Sequence, residues 1–377
     1  MTARQFWFVA LGVICLAWVA YPVQGAPPGV AEIESVVAPL MEKHKVPGVS
    51  IAVVNHYQLD WSAGFGRRAA AIDDPVDPHT LFQAASISKP VTALAVLKLV
   101  QDGKLSLDDD VNEKLASWHV PASALLEGRP ITLRKLLSHT AGLSVHGFPG
   151  YERGKPLPTI LQVLAGEKPA NTAAVVVQLK PGYMYSYSGG GYSVVQLLLT
   201  EVTHQPFPAF MREQVLDPLG MNESTFDLPL PKEQASRAAY GYLANGDLVA
   251  GNYHVYPEMA AAGLWTTPTD LCQVVIEVAK SAAQGQGKLL SQTTAKEMLT
   301  VQKGSYALGL GVQGEGDDRS FNHGGGNEGF RCLMVGYPAT GRGMVIMTNS
   351  DSGGAIFGKT LEAIAKAYGW PTPVLRD

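Results

Sequence analysis

The chain has 377 residues, 46% of them hydrophobic and 16% charged, with a formal net charge of −4. That balance excludes a disordered chain and leaves enough apolar residues for one or two substantial cores. The mildly acidic charge gives no electrostatic reason to expect nucleic acid as a partner.

The N-terminus reads as an export signal over residues 1–25. Arg4 supplies a short positive region, an apolar stretch runs from Phe6 to about Val23, and Val23-Gln24-Gly25 before Ala26 offers small residues for cleavage. The stretch approaches the roughly 20 residues that span a bilayer, so an uncleaved anchor is the alternative. Pro22, Pro27 and Pro28 close it with breakers instead of stop-transfer charges, which favours cleavage near Ala26 and a periplasmic or secreted protein without a stable membrane span. Ile14 before Cys15 is not the small residue of a lipid-attachment site. Cys272 and Cys332 can pair in an oxidising compartment, although two isolated cysteines in so large a chain are more often buried small hydrophobes.

After the signal, the β-branched run Val49–Val54 followed by Asp60–Gly66 suggests two paired strands. A strongly apolar helix is expected from about Ser86 to Gln101, with Pro90 in its first turn and Gly103 just past its end. Val91, Leu94, Val96, Leu97, Leu99 and Val100 wrap most of its circumference, so it is buried on most sides. From about Leu105 to Pro257 short helical patterns alternate with Pro and Gly breaks. Tyr306–Val312, Gly329–Gly336 and Gly343–Thr348 then look like successive strands, closed by a helix from about Gly358 to Tyr368. Strands at both ends with helices between predict an α+β fold: an antiparallel sheet built from residues 26–104 and 258–377, flanked by helices, with a mainly helical region, 105–257, inserted. A cleft between the two parts is the natural place for a site.

Three segments carry chemistry. In Ser86-Ile87-Ser88-Lys89 at the start of the buried helix, positions i and i+3 share a face, so the hydroxyl and the amine can meet. Burial and the positive helix end both push a lysine pKa down, which makes Lys89 a proton acceptor for the weakly nucleophilic Ser86. By itself the pattern also fits a plain N-cap serine with a solvated lysine. Pro181–Tyr192 is a glycine-rich loop that carries Tyr187, Ser188 and Gly189 into an apolar helix at Val194–Leu199. A tyrosine there can exchange protons with a catalytic centre, or can merely pack in a turn. Phe321-Asn322-His323-Gly324-Gly325-Gly326-Asn327 lets a substrate backbone lie against a strand edge, and His323 can donate to a carboxylate or carbonyl; a surface turn is the plainer reading.

Taken in this order, the three segments resemble the serine β-lactamase and penicillin-binding protein superfamily, in particular its branch of class C β-lactamases, D-alanyl-D-alanine carboxypeptidases and family VIII esterases. Thr132–Leu143, Pro218–Phe226 and Ala261–Leu271 also look like that family's recurrent stretches, and the likeness covers nearly the whole mature chain. The resemblance implies a β-lactamase/transpeptidase-like fold and an acyl-enzyme on Ser86, with Lys89 and Tyr187 moving protons. It assigns the oxyanion to the backbone N–H groups of Ser86 and Gly326, and puts Ser188, His323, Gly325 and Gly326 against the substrate. It implies no metal or organic cofactor, and small-molecule or peptide substrates as partners. The expected activity is cleavage of an amide of the β-lactam or D-amino-acid peptide type. A carboxylesterase acting on short-chain esters is the alternative, and a penicillin-binding sensor that is acylated without turnover is the alternative from another class.

Two departures bear on this. Gly189 stands where the family usually has Asn, and His323-Gly324-Gly325 stands where many β-lactamases have Lys-Thr-Gly, so a fixed positive charge has become a titratable one. Both changes weaken the case for an efficient β-lactamase. Other chemistries find no support: Gly-x-Ser-x-Gly and His-Glu-x-x-His are absent. Gly353–Thr360 fits a phosphate-loop pattern but lies too near the C-terminus for the remaining parts of a nucleotide site, and is read as a turn into the last helix.

Overall fold

The computed structural model describes residues 29–70 and 73–371, so the expected export signal lies outside the described residues. The chain enters on helix α1 (Val30–His44), then forms strands β1 (Gly48–Asn55), β2 (Gln58–Ala69) and the short β3 (Asp74–Pro75). A 3-10 turn over Ala85–Ile87 leads into α2 (Ser88–Gln101). Further on come α3 (Gly189–Thr203) and α4 (Pro268–Gln284), then strands β4 (Gly311–Gln313), β5 (Ser320–Asn327), β6 (Phe330–Tyr337) and β7 (Arg342–Thr348), and finally α5 (Phe357–Tyr368).

The seven strands make one sheet in the order β3-β2-β1-β7-β6-β5-β4. Every pairing in it is antiparallel, and Val49 of β1 lies opposite Thr348 of β7. The sheet is therefore drawn from both ends of the chain, as the pattern of strands predicted. Alternation along the central strands assigns their two faces. Val49, Ile51, Val53, Leu333, Val335, Met344 and Ile346 pack with Ile33, Val37 and Met41 of α1 and Leu361 and Ile364 of α5. Ala52, Val54, Cys332, Met334, Val345 and Met347 face the other way, into a larger core with α2, α3 and α4. A strand covered on both faces has no polar side, which explains why β1 and β7 read as continuous apolar runs.

The expected helix from Ser86 is real over Ser88–Gln101, with Ser86 itself on the 3-10 turn just ahead of it. One strand expectation was too long: of the segment Tyr306–Val312 only Gly311 and Val312 are strand, continued by Gln313. The Phe321–Asn327 segment, for which a strand edge and a surface turn were both open, is the inner strand β5. Its three glycines hide it from any β-propensity argument. Cys272 and Cys332 are both buried and free. Gly353–Ile356 is a 3-10 turn leading directly into α5, with Lys359 paired to Glu362 and the Thr360 hydroxyl on the Ile356 carbonyl at 2.8 Å, so neither side chain is held ready for a phosphate.

Candidate active site

The turn before α2 is held under strain by buried contacts. Ala85 has φ of 47°, a left-handed conformation that a residue with a Cβ rarely takes. Ser88 Oγ donates to the Ala85 carbonyl at 2.6 Å and accepts from the Leu264 N–H at 3.0 Å. From the sheet, Cys332 Sγ donates to the Ala84 carbonyl at 2.9 Å. Strand β5 comes close on the same side: a Cβ added at Gly325 would lie 2.3 Å from the Ala84 carbonyl oxygen. Only glycine fits there, and the approach lays β5 against the Ser86 turn. Beyond Asn322, the β5 edge away from β6 has no strand partner among the described residues, since β4 pairs with Ser320–Asn322.

Lys89 reaches back from the first turn of α2. Its Nζ stands 3.0 Å from Ser86 Oγ and donates to the Ala261 carbonyl at 2.8 Å. The side chain is buried, and burial brings its pKa down to about 7. Tyr187 completes the group: its phenol is near enough to Ser86 for that hydroxyl to influence it, and Lys89 Nζ lies 4.9 Å from its ring centroid. Burial pushes the Tyr187 phenol above its ordinary value, with the Ser86 contact acting the other way. These opposite shifts separate the roles. Near neutral pH the amine is partly unprotonated and the phenol keeps its proton, so Lys89 is the group able to accept and Tyr187 the group able to donate.

The remaining expected site residues are close by but differently employed. Ser188 is buried, and its hydroxyl is used twice: it accepts from the Gly191 N–H at 2.9 Å as the N-cap of α3 and donates to the Ser144 carbonyl at 2.7 Å. It supports the loop, with no hydroxyl left over for a substrate. Gly189 cannot carry a longer side chain, because a Cβ would meet the Phe148 ring at 2.8 Å and the His146 carbonyl at 3.1 Å. An aromatic ring thus occupies the space that the family's usual Asn side chain would need.

His323 also differs from a cationic donor. It is buried, Nδ1 lies 2.5 Å from the Gly324 carbonyl, and Nε2 lies 3.0 Å from the Tyr306 hydroxyl. A carbonyl only accepts, so Nδ1 carries the proton and Nε2 takes the Tyr306 hydrogen. Burial, with Lys89 nearby, brings the pKa to about 3. We therefore expect no ionisation of His323 to show in the rate between pH 5 and 8; a His323→Gln variant that lost an inflection in that range would contradict this. Arg331, whose side chain lies over Gly326, has a permanent charge, but it is paired with Asp351 at 2.9 Å and donates to the Asn327 and Phe330 carbonyls at 2.7 Å.

Two buried groups were given no role by the sequence, although His139 lies in the recurrent stretch Thr132–Leu143. His139 stacks on Tyr187 with centroids 4.1 Å apart. Glu258 precedes the short helix Met259–Ala262, the one that offers the Ala261 carbonyl to Lys89; it is wholly buried, and neither of its oxygens finds a hydrogen-bond partner. Neither could be told from an ordinary core or turn residue by its neighbours in sequence.

The beta-lactamase family model matches residues 33–369. The chain belongs to the beta-lactamase family. Members of this family share a serine-hydrolase fold, and this chain has that architecture. Among curated relatives, protein flp of Staphylococcus aureus (strain N315) is 23% identical over 338 residues, which cover 85% of this chain and 63% of the relative. The chain thus spans less than two thirds of that relative's length. Among solved structures, the octameric penicillin-binding protein homologue from Pyrococcus abyssi matches with a TM-score of 0.75 at 26% identity, covering 91% of this chain and 78% of that one. SurE with D-Leu matches with a TM-score of 0.67, also at 26% identity and with the same coverage of 91% and 78%. Among the described residues of this family member, no helix is long and apolar enough to cross a membrane, and no group of three or more His, Cys, Asp or Glu is placed to hold a metal ion.

Proposed function

We propose that this chain is a serine acyl hydrolase that works through an acyl-enzyme on Ser86, and that uncharged carboxylic esters are its preferred acyl donors. The observation that carries the reading is the buried Lys89 amine, pKa about 7, standing 3.0 Å from Ser86 Oγ. In this scheme Ser86 Oγ attacks the carbonyl carbon while its proton passes to Lys89. The oxyanion forms against the backbone N–H groups of Ser86 and Gly326. The tetrahedral species collapses, and the leaving oxygen takes a proton relayed through Tyr187 from the Lys89 ammonium. Water then attacks the acyl-enzyme while its proton passes to Lys89, and as the second tetrahedral species collapses Lys89 returns that proton to the departing Ser86 Oγ, releasing the acid and free Ser86.

The preference for esters rests on charge. A β-lactam or a D-amino-acid peptide brings a carboxylate that needs a cation, and burying a charge without a partner is costly. Here the groups that could face it are a neutral His323, a Lys89 committed to Ser86, and an Arg331 neutralised by Asp351. The apolar Phe148 at Gly189 acts in the same direction, since it offers no amide to a peptide-like substrate. One observation favours the amide reading: the related SurE holds D-Leu, the type of group a D-amino-acid donor would supply.

The two are separated by intact-protein mass spectrometry after brief exposure to p-nitrophenyl butyrate, a cephalosporin and a D-Ala-D-Ala peptide, with product release followed in parallel. The expected result is a butyryl adduct on the Ser86 peptide with rapid p-nitrophenol release, and slower reaction with the two carboxylates. Turnover of the carboxylates alone would replace the ester reading with the amide one. Adducts that persist without turnover would make the protein a sensor. Absence of any adduct would remove the acyl-enzyme.

A further inference from the structure

The scheme above asks Tyr187 to hold its hydroxyl on Ser86, yet the loop that carries it, Pro181–Ser188, is irregular and has exposed side chains at Tyr183, Met184 and Tyr185. Such a loop needs an external brace. His139 lies just past the short helix Leu133–Leu137, is 1% exposed, and takes a left-handed φ of 57°. Its main-chain carbonyl accepts from the Ser186 N–H at 2.8 Å, and its ring Nδ1 accepts from the Ser188 N–H at 3.1 Å. Between these two bonds the imidazole lies under the Tyr187 ring, 4.1 Å between centroids at 32°. One residue thus grips both neighbours of Tyr187 and supports its ring.

The chemistry of the imidazole fits that task better than core filling. A backbone N–H only donates, so Nδ1 is unprotonated and the proton sits on Nε2, which is buried and meets no acceptor among the described residues. A hydrophobe would avoid that cost, and most residues would avoid the left-handed backbone. Burial, with the charge of Lys89 next in weight, holds the ring well below its usual pKa, so Nδ1 stays an acceptor at the pH values where Lys89 works. The ring also lies 5.0 Å from that of Tyr306, whose hydroxyl holds His323 on β5, so the brace joins both walls of the cleft.

We propose that His139 is the positioning residue of Tyr187, acting through its Nδ1 acceptor and its stacked ring; this rests on the reading that Tyr187 relays the leaving-group proton. The test compares His139→Phe, which keeps a ring and loses the acceptor, with His139→Asn, which tolerates a left-handed backbone and can return an acceptor oxygen near Nδ1. Each is made in the full chain and in a Tyr187→Phe background, with p-nitrophenyl butyrate as substrate. His139→Phe is expected to lower kcat about tenfold or more with KM changed less than about threefold, the range that follows from leaving one buried N–H unsatisfied. His139→Asn should recover most of that loss. In the Tyr187→Phe background, His139→Phe should cost nothing further, because two residues acting as one unit are not additive. If His139→Phe does not fold, His139→Gln, whose acceptor falls nearer Nε2, takes its place with the same expected loss. Equal losses in both backgrounds, or a lowered melting temperature with kcat per folded molecule unchanged, would overturn the proposal. Full activity of Tyr187→Phe alone would instead overturn the reading it rests on, and that result is seen independently of His139.

Discussion

Lys89→Met is expected to lower kcat/KM at neutral pH by about 10²–10⁴-fold, the usual contribution of a positioned general base. Methionine keeps the volume of the stem and removes the only basic atom placed 3.0 Å from Ser86 Oγ. The pH profile of the unaltered protein supplies a second signature. Only the unprotonated amine can take the serine proton, so acylation should rise with pH through about 7, where burial places this group, and Lys89→Met should lose that limb. Stability distinguishes the chemistry from a folding defect. A lysine whose folded pKa lies below its unfolded one destabilises the fold as pH falls through that window, because the unfolded chain binds the extra proton. The methionine variant should therefore melt no lower than the parent at neutral pH while being far less active. Ser86→Ala should go further and abolish both adduct and turnover. Full activity in either variant, on a sample that melts normally, would remove Ser86 and Lys89 from the reaction.

The second large effect is on the fold. Glu258 is fully buried, and burial raises its carboxyl to about 7; its own main-chain N–H and the nearby Tyr151 act the other way, and the Tyr256 phenol is close enough to feel its charge. For an acid raised in the folded state the sign is fixed: between its unfolded value and about 7 the native protein binds more protons than the unfolded chain, so stability falls as pH rises. Across that interval the shift is equivalent to about 3 kcal/mol, an upper figure for one buried carboxyl. Glu258→Gln cannot ionise. Its stability relative to the parent should improve by up to that amount between pH 5 and 8, read from urea unfolding at both values, even though an amide without partners brings a constant cost of its own. A difference between the two proteins that is the same at pH 5 and 8 would show that Glu258 does not change its charge in that range.

Why evolution would leave such a carboxyl in place is suggested by its position. Glu258 opens the turn whose next residues present the Ala261 carbonyl to Lys89, and its own main-chain carbonyl receives the N–H groups of Ala261 and Ala262 at 3.0 and 2.9 Å. The same short segment therefore contains a wholly buried carboxyl and the acceptor that holds the Lys89 amine.

How far the sequence carried can be judged from these residues. Ser86 and Lys89 were legible because their relation is local: three positions on one helical turn fix their proximity whatever surrounds them. The central strands were legible because burial on both faces leaves an unmistakable apolar run. Strand β5 was not legible from its residues, since three successive glycines carry no strand signal and Gly325, the one that the close approach of Ala84 requires, owes its identity to a contact made across more than two hundred residues of chain. His323 was placed near the site as a titratable ring whose charge the sequence left open; burial, with Lys89 nearby, favours the neutral form. Ser188 was assigned to the pocket by family resemblance; its hydroxyl caps α3, a role that only the fold reveals. His139 and Glu258 derive their meaning wholly from tertiary contacts.

The pinning of the Ser86 turn has a consequence for how the molecule comes into being. The groups that hold it, the Ala261 carbonyl, the Leu264 N–H and the Cys332 thiol, all come from the last third of the chain, and β1 finds its central partner only in β7, some three hundred residues later. Contacts so distant in sequence form late and slowly. A partly made chain that already displays Ser86, Lys89 and Tyr187 has these side chains without their arrangement, so the site takes shape only after Cys332 and β7 have been added and the sheet closes.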